Sequence, residues 1–387
     1  MKYELASSSW DDKELEAVNK VIQSNMYTMG DSVRQFELDF AKFTQNKYAV
    51  MVNSGSSANL LAIAALFYKK ENPLKYGDEV IVPAISWPTT YYPLYQYGLK
   101  LKFVDVDKYT LNINVQELKK AITDKTRLIF AVNLLGNPND FDEIQNMIQG
   151  KNIYLLEDNC ESLGGTYKNK QLGSIGLMGT YSTFFSHHMS TMEGGLIGTD
   201  DEELYHILLC LRSHGWTRHL PKENKLCKKS DFSFDESFRF ILPGYNVRPI
   251  EMMGAIGIEQ LKKLPDFLVH RRENAKYFQK LFKNDERFII QKEIQSSSWF
   301  GFSFLINDKN IKREDVIRKL TDAKIETRPI VAGNFARKEV VKWFNYEIFG
   351  NLPNADFVDK YGFFVGNHQF DIRKELDYLY EVLSELK

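Results

Sequence analysis

The sequence predicts an α/β chain in which a mainly parallel sheet with helices on both faces is followed by a small α+β C-terminal domain. Three observations support this. Short apolar runs alternate with helical patterns through the first two thirds of the chain. Polar residues suited to chemistry fall directly after those runs, where open sheets of this kind bind ligands. Near Pro265 the pattern shifts to shorter elements, which places a boundary within 250–270. Residues 1–255 then form the large domain and 256–387 the small one.

In chain order, "KYAVMVNSG" (47–55) predicts a buried strand entering a turn, and "SSANLLAIAALFYKK" (56–70) the helix that follows. "DEVIVP" (78–83), "LKFVDVD" (101–107), "RLIFAVNLL" (127–135), "NIYLLEDN" (152–159) and "GTYSTFF" (179–185) predict further strands. Helical or loop segments such as "NVQELKKAIT" (114–123) separate them. "EMMGAIGIEQLKKL" (251–264) and "RRENAKYFQKLFKN" (271–284) predict two successive helices, and "SSSWFGFSFLIN" (296–307) a strand region.

A length of 387 residues exceeds what one small core requires, consistent with two domains. Fifty basic residues against 51 acidic ones give a formal net charge of −1, so no electrostatic footprint for nucleic acid is present. No apolar run reaches membrane-spanning length, and the first residues lack a signal-peptide core, so a cytoplasmic protein is expected. Cys160, Cys210 and Cys227 are scattered and too few for a four-cysteine metal or cluster site within the chain.

Three motifs lie at strand ends. In "NSGSSANLL" (53–61), Ser56 and Ser57 follow Gly55 at a strand-to-helix turn, which serves either a phosphate cradle or a Ser-capped helix. In "YLLEDNCE" (154–161), Glu157, Asp158 and Glu161 close an apolar strand, which suits a cationic ring nitrogen, a metal or a plain helix cap. In "PAISWPTTYYP" (83–93), Trp87 is either a stacking surface for a planar ring or a core residue. Together they describe a pocket for a flat phosphorylated heterocycle, and pyridoxal 5′-phosphate fits because its pyridinium needs an acid partner. Enzymes using it normally carry a Schiff-base lysine on the next strand turn. No lysine occurs between Lys170 and Lys222, and "FFSHHMSTMEGG" (184–195) occupies the expected place.

On "MGDSVRQFELDFAKF", "SGSSANLLA", "VPAISWPTT", "FVDVD", "LEDNCESLGG", "SFF…EGG", "GYNVRPIEMMGAIGIEQL" and "ETRPIVAGN", the chain resembles the DegT/DnrJ/EryC1/StrS family of sugar aminotransferases over nearly its whole length. The resemblance implies the aspartate-aminotransferase fold, that is, fold type I of the pyridoxal-phosphate enzymes. Aligned on Glu193-Gly194-Gly195, Ser182 falls on the family's phosphate-binding serine and His187 on its lysine, with His188 as the reserve. A lysine-to-histidine exchange resembles the sugar 3-dehydratase branch, as does "RSHGWTRHLP" (212–221). One type in that branch carries a [2Fe–2S] cluster, which needs four cysteines. The resemblance here is therefore to the type without an iron–sulfur cluster.

The resemblance further implies that Asp158 pairs with the pyridinium nitrogen, that Trp87 stacks on the ring, and that Ser56, Ser57 and Ser182 hold the phosphate. Asn246 would cross to a second subunit's cofactor, giving a homodimer with shared active sites. His214, Arg218 and Arg328 would contact sugar and substrate carboxylate. Glu161 stands where aminotransferases more often carry Gln, either for proton traffic or as a hydrogen-bonded structural acid. The implied cofactor cycles between pyridoxal 5′-phosphate and pyridoxamine 5′-phosphate, with L-glutamate as amino donor. The implied substrate is a nucleotide-linked 4-keto-6-deoxy sugar, either GDP-4-keto-6-deoxy-D-mannose, a CDP sugar or a 6-deoxy-heptose analogue, in bacterial surface polysaccharide biosynthesis. Histidine cannot store the cofactor covalently as lysine does, but its ordinary pKa of about 6.5 suits proton transfer. A sugar aminotransferase with another base, or a non-catalytic cofactor- or sugar-binding regulator, remains open on sequence alone.

Overall fold

The computed structural model describes residues 1–386. Eight strands form the large sheet, in the order Tyr48–Val52, Gly195–Thr199, Met178–Ser182, Tyr154–Asp158, Thr126–Val132, Glu79–Pro83, Lys100–Val104 and Tyr346–Ile348. All neighbouring pairs are parallel except those made by Gly195–Thr199, which runs antiparallel to both of its neighbours. The central strands are buried almost throughout, as a sheet covered on both faces requires. The helix Gly55–Phe67 is apolar nearly all round because it is sandwiched between that sheet and the helix Glu202–Leu211, both of which share its core cluster.

Four antiparallel strands form the second sheet, in the order Phe288–Ile290, Gly301–Ile306, Gly362–Gly366 and Thr327–Arg328. Its own aromatic core holds Phe278, Phe282, Phe302, Phe304 and Phe363. The N-terminus belongs with this sheet: Tyr3 bridges Ile325, and its hydroxyl donates to the Gly366 carbonyl at 2.5 Å.

Two expectations need correction. The segment 251–284 is not two helices but one, Glu251–Phe282, which continues through Pro265. Proline deprives the helix of one hydrogen bond, but Leu264 and Leu268 on either side of it are buried against Val33, Phe36 and Phe40. Farther along, Phe278 and Phe282 enter the second core, so this single rod spans both hydrophobic clusters. The residues Ser296–Phe300 are not strand. The strand begins at Gly301, and the preceding stretch is a loop in which Trp299 takes a left-handed conformation, φ +49°. No helix among the described residues is long and apolar enough to cross a membrane.

Candidate active site

The carboxyl ends of the large sheet gather the residues that the sequence singled out. Ser54 caps the Gly55–Phe67 helix, its hydroxyl accepting from the Ser57 N–H at 3.1 Å. The Ser57 hydroxyl donates to Asn53 Oδ1 at 2.7 Å, and the exposed Ser56 hydroxyl donates to Thr89 Oγ1 at 3.2 Å. Ser182, at the end of its strand, lies directly against this turn: a Cβ on Gly55 would sit 2.6 Å from the Ser182 Cβ. Only glycine permits that approach, which brings three hydroxyls to a helix N-terminus whose free N–H groups and dipole attract an anion.

Asp158 ends the strand beside Ser182's and is 5 % exposed. Its Oδ2 accepts from Asn59 Nδ2 at 2.9 Å and from Thr90 Oγ1 at 2.7 Å, while Oδ1 accepts from the Cys160 N–H at 3.1 Å. Asn59 is itself held by Thr180 at 2.6 Å, and Thr90 shares a hydrogen bond with Ser86 at 2.7 Å. These donors lock the carboxylate in place. Trp87 immediately precedes the helix that carries Thr90 and is 56 % exposed, so its ring face is open and it is not a core residue. The neighbouring acid Glu157 faces the other way. It is fully buried and accepts from the N–H groups of Gly173, Ile175 and Gly176, so it organises that turn.

The two histidines separate into different roles. His188 is 1 % exposed and its Nε2 donates to the Ser298 carbonyl at 3.1 Å, which ties the turn to the second domain's loop. His187 is half-buried, edge-on to the rings of Phe300 (5.2 Å) and Phe184 (5.9 Å), and its Nδ1 has no protein partner. Burial and the nearby Arg271 cation lower its pKa to about 4, which leaves the imidazole neutral near pH 7. The turn carrying both rings is closed by the N–H of Phe185 on the Met192 carbonyl and of Thr183 on the Gly194 carbonyl. A Cβ on Gly194 would strike the hydroxyls of Thr183 and Thr191 at 2.3 and 2.4 Å.

Glu161 stands one turn beyond Asp158, half-buried, with Oε2 accepting from the Leu135 N–H at 3.1 Å. Leu135 holds that N–H in place from a left-handed conformation, φ +53°, a strain found where geometry is functionally fixed. Burial pushes the Glu161 carboxyl up to about 7, and the Asp158 charge adds to this against the Leu135 hydrogen bond. A raised folded pKa means stability that is present at low pH and is lost as pH rises from the unfolded value of 4.5 through about 7. Glu161→Gln removes that loss. Thermal unfolding is expected to show the variant gaining on the wild type between pH 4.5 and about 8, whereas a constant gap would contradict the assignment.

The remaining sequence-predicted residues lie apart. Asn246 is exposed, accepts from Arg248 Nε at 3.1 Å and bridges Ser213, while the next residue's carbonyl accepts from the Asn53 N–H at 3.0 Å beside the cradle. His214 is exposed with φ +61°, and the exposed Arg218 lies 5.2 Å over the Trp216 ring. Arg328 is exposed on the second sheet, with no acid within ion-pair distance among the described residues. None of the four shares a hydrogen bond with the group formed by Asp158, Ser182 and His187 within the single chain. Asn59, Thr90, Thr180, Leu135 and Phe300 complete the site and were missed. Asn59 alone had a signal, as a lone polar residue inside the apolar run "ANLLAIAALF".

A mostly parallel sheet with an anion cradle at a strand–helix turn and a locked acid at the end of a central strand defines an enzyme of the aspartate-aminotransferase fold, fold type I of the pyridoxal-phosphate enzymes. Within that class the chain belongs to the DegT/DnrJ/EryC1/StrS aminotransferase family, whose model matches residues 8–364. It is 60 % identical over 387 residues to the GDP-4-keto-6-deoxy-D-mannose 3-dehydratase of Escherichia coli O55:H7, covering 99 % of this chain and 100 % of that one. Identity to the enzyme of the same name from Yersinia pseudotuberculosis is 58 %, with coverage of 100 % and 99 %.

Three solved structures superpose closely. The E. coli GDP-4-keto-6-deoxy-D-mannose-3-dehydratase with bound hydrated pyridoxal phosphate is 60 % identical, with a TM-score of 0.98 and 99 % of each chain covered. A GDP-4-keto-6-deoxymannose-3-dehydratase with a trapped pyridoxal phosphate–glutamate geminal diamine is 59 % identical at a TM-score of 0.98, covering 99 % of this chain and 100 % of that one. A variant of this enzyme, with a histidine changed to lysine and the preceding serine to asparagine, is 59 % identical at a TM-score of 0.96, covering 97 % and 100 %.

Proposed function

We propose that this chain is a pyridoxamine 5′-phosphate-dependent dehydratase that removes the C3 hydroxyl of GDP-4-keto-6-deoxy-D-mannose, with L-glutamate regenerating the amine form of the cofactor. The observation that carries this reading is His187. The turn that would hold a Schiff-base lysine presents an imidazole with a free Nδ1, and no lysine lies between Lys170 and Lys222. In the solved variant noted above, the substituted histidine follows directly on a serine. Here Ser186 precedes His187 while His188 follows a histidine, which supports His187 as the corresponding residue.

The residues present fit the cofactor. Ser56, Ser57 and Ser182 with the helix N-terminus would hold its phosphate, Trp87 would cover the ring face, and Asp158 would meet the ring nitrogen. When bound, the cofactor supplies a protonated ring that accepts electrons from the reacting carbon. Asp158, locked by Asn59, Thr90 and the Cys160 N–H, keeps that ring protonated without having to reorganise as charge develops. His187 in its neutral form takes a proton from the cofactor's C4′ carbon, the acid–base half of a lysine's work. His188, committed to Ser298, fixes the turn. In the net reaction the sugar loses its C3 oxygen, glutamate leaves as 2-oxoglutarate, and its nitrogen leaves as ammonia. A second copy would complete the site through Asn246, with His214, Arg218 and Arg328 contacting the substrates.

The test is the first half-reaction. Protein loaded with pyridoxal phosphate is expected to pass from the aldehyde to the amine spectrum on addition of L-glutamate, with 2-oxoglutarate formed in equal amount. GDP-4-keto-6-deoxy-D-mannose should then return the aldehyde spectrum. Protein that never reaches the amine form would sink the proposal, and an amine form left unchanged by the GDP sugar would redirect it to a CDP or heptose substrate.

A further inference from the structure

Arg271 is a buried cation without a counter-ion. It lies on the Glu251–Phe282 helix at 3 % exposure, and no carboxylate stands within ion-pair distance of it among the described residues. Its Nη1 donates instead to three main-chain carbonyls, of Trp299 at 3.4 Å, Phe300 at 3.3 Å and Asn367 at 3.0 Å. A charge held this way is costly to bury.

Its carbonyl partners lead directly to the histidine turn. The Phe300 ring packs against both histidines, at 5.2 Å from His187 and 5.8 Å from His188, and the Ser298 carbonyl accepts from His188 Nε2. Trp299 between them is in a left-handed conformation, a kink that lets successive carbonyls face the guanidinium and the imidazole. Thus three consecutive residues connect one cation to both rings.

We infer that Arg271 is a positioning residue for the proposed base: its buried guanidinium clamps the Ser298–Phe300 wall against the histidine turn and stands as an unpaired positive charge near the two rings. This deepens the reading of His187 as the base and rests on it only for the catalytic consequence. Charged groups on the elements packed about the turn are Arg271 and Arg272 on the long helix, Asp158 and Glu161 after the central strand, Glu293 ahead of Ser297, and Glu193 in the turn itself. None of the four carboxylates bonds either ring, and Arg272 is spent on the carbonyls of Ser297 and Gly164. Nothing anionic therefore offsets Arg271 at the imidazoles, and proton uptake by either ring is opposed by burial and then by this cation.

The test reads His187 directly and needs no substrate. Ring nitrogen shifts are followed against pH in the full-length protein labelled with ¹⁵N-histidine, with His187→Asn identifying the signal. Wild-type His187 should remain neutral down to a midpoint near about 4. Arg271→Met should raise that midpoint, and Arg271→Lys, which keeps the charge, should leave it at the wild-type position. A folded Arg271→Met protein with an unchanged midpoint would overturn the proposal. So would a wild-type His187 titrating near its ordinary value of about 6.5, which keeps the test decisive even where Arg271→Met does not fold. Because only a protonation midpoint is read, failure here is distinct from failure of the dehydratase reading.

Discussion

His187→Asn is expected to bind pyridoxamine phosphate with wild-type affinity and to lose about 10²–10⁴-fold in turnover, the range contributed by a positioned acid–base group. Affinity should hold because the cradle of Ser56, Ser57 and Ser182 and the carboxylate of Asp158 make no contact with the His187 ring. The structure also separates the two histidines. His188→Asn breaks the hydrogen bond to the Ser298 carbonyl, so its effect should fall on stability more than on rate. Absorbance titration of the cofactor with steady-state rates checks both, and a His187→Asn protein with wild-type turnover would contradict the assignment.

Asp158→Asn should damage both turnover and cofactor binding. The wild-type carboxylate accepts from Asn59, Thr90 and the Cys160 N–H. An amide offers one acceptor atom where two are used, and turns an N–H₂ group toward donors. It also carries no charge to hold the ring nitrogen protonated, so the electron-accepting character of the bound cofactor is lost. Preorganised charge of this kind is worth about 10²–10³-fold in rate when a single donor is removed. The variant is therefore expected to lose at least that much in kcat, together with weaker cofactor binding. Spectral titration and kcat measured on the same preparation decide it, and a loss below about tenfold would mean that Asp158 is structural.

Much of this site was legible because its parts sit at strand ends, where an apolar run gives way to a polar residue. Asp158 after "YLLE", Ser182 after "GTY" and Trp87 after "IVPAIS" are all of that kind, and the structure places each at or just past the carboxyl end of a parallel strand. What periodicity does not carry is strand direction. Gly195–Thr199 is a short buried run like its neighbours, and only its tertiary pairing makes it antiparallel. Tyr346–Ile348, far along the chain, joins the large sheet's edge beside Lys100–Val104, a contact across more than half the sequence that no local pattern encodes. Pro265 is a helix-ending signal in isolation and is overridden by burial on both sides. Arg271 was illegible for a similar reason, since in "RRENAK" it looks like one more cation on a solvated helix face. Its burial follows only from how the long helix crosses the Trp299–Phe300 loop.

In the proposed function, a histidine in the lysine position turns an aminotransferase architecture to deoxygenation. Its most direct test is the fate of nitrogen and oxygen in one incubation. Protein loaded with pyridoxamine phosphate is mixed with a stoichiometric amount of GDP-4-keto-6-deoxy-D-mannose, and ammonia and the mass of the GDP sugar are recorded together. Ammonia equal to sugar consumed, with a product lighter by one oxygen atom, is the predicted result. A product that retains its C3 hydroxyl and carries the cofactor's nitrogen in place of the C4 keto oxygen, with no ammonia released, would contradict the account.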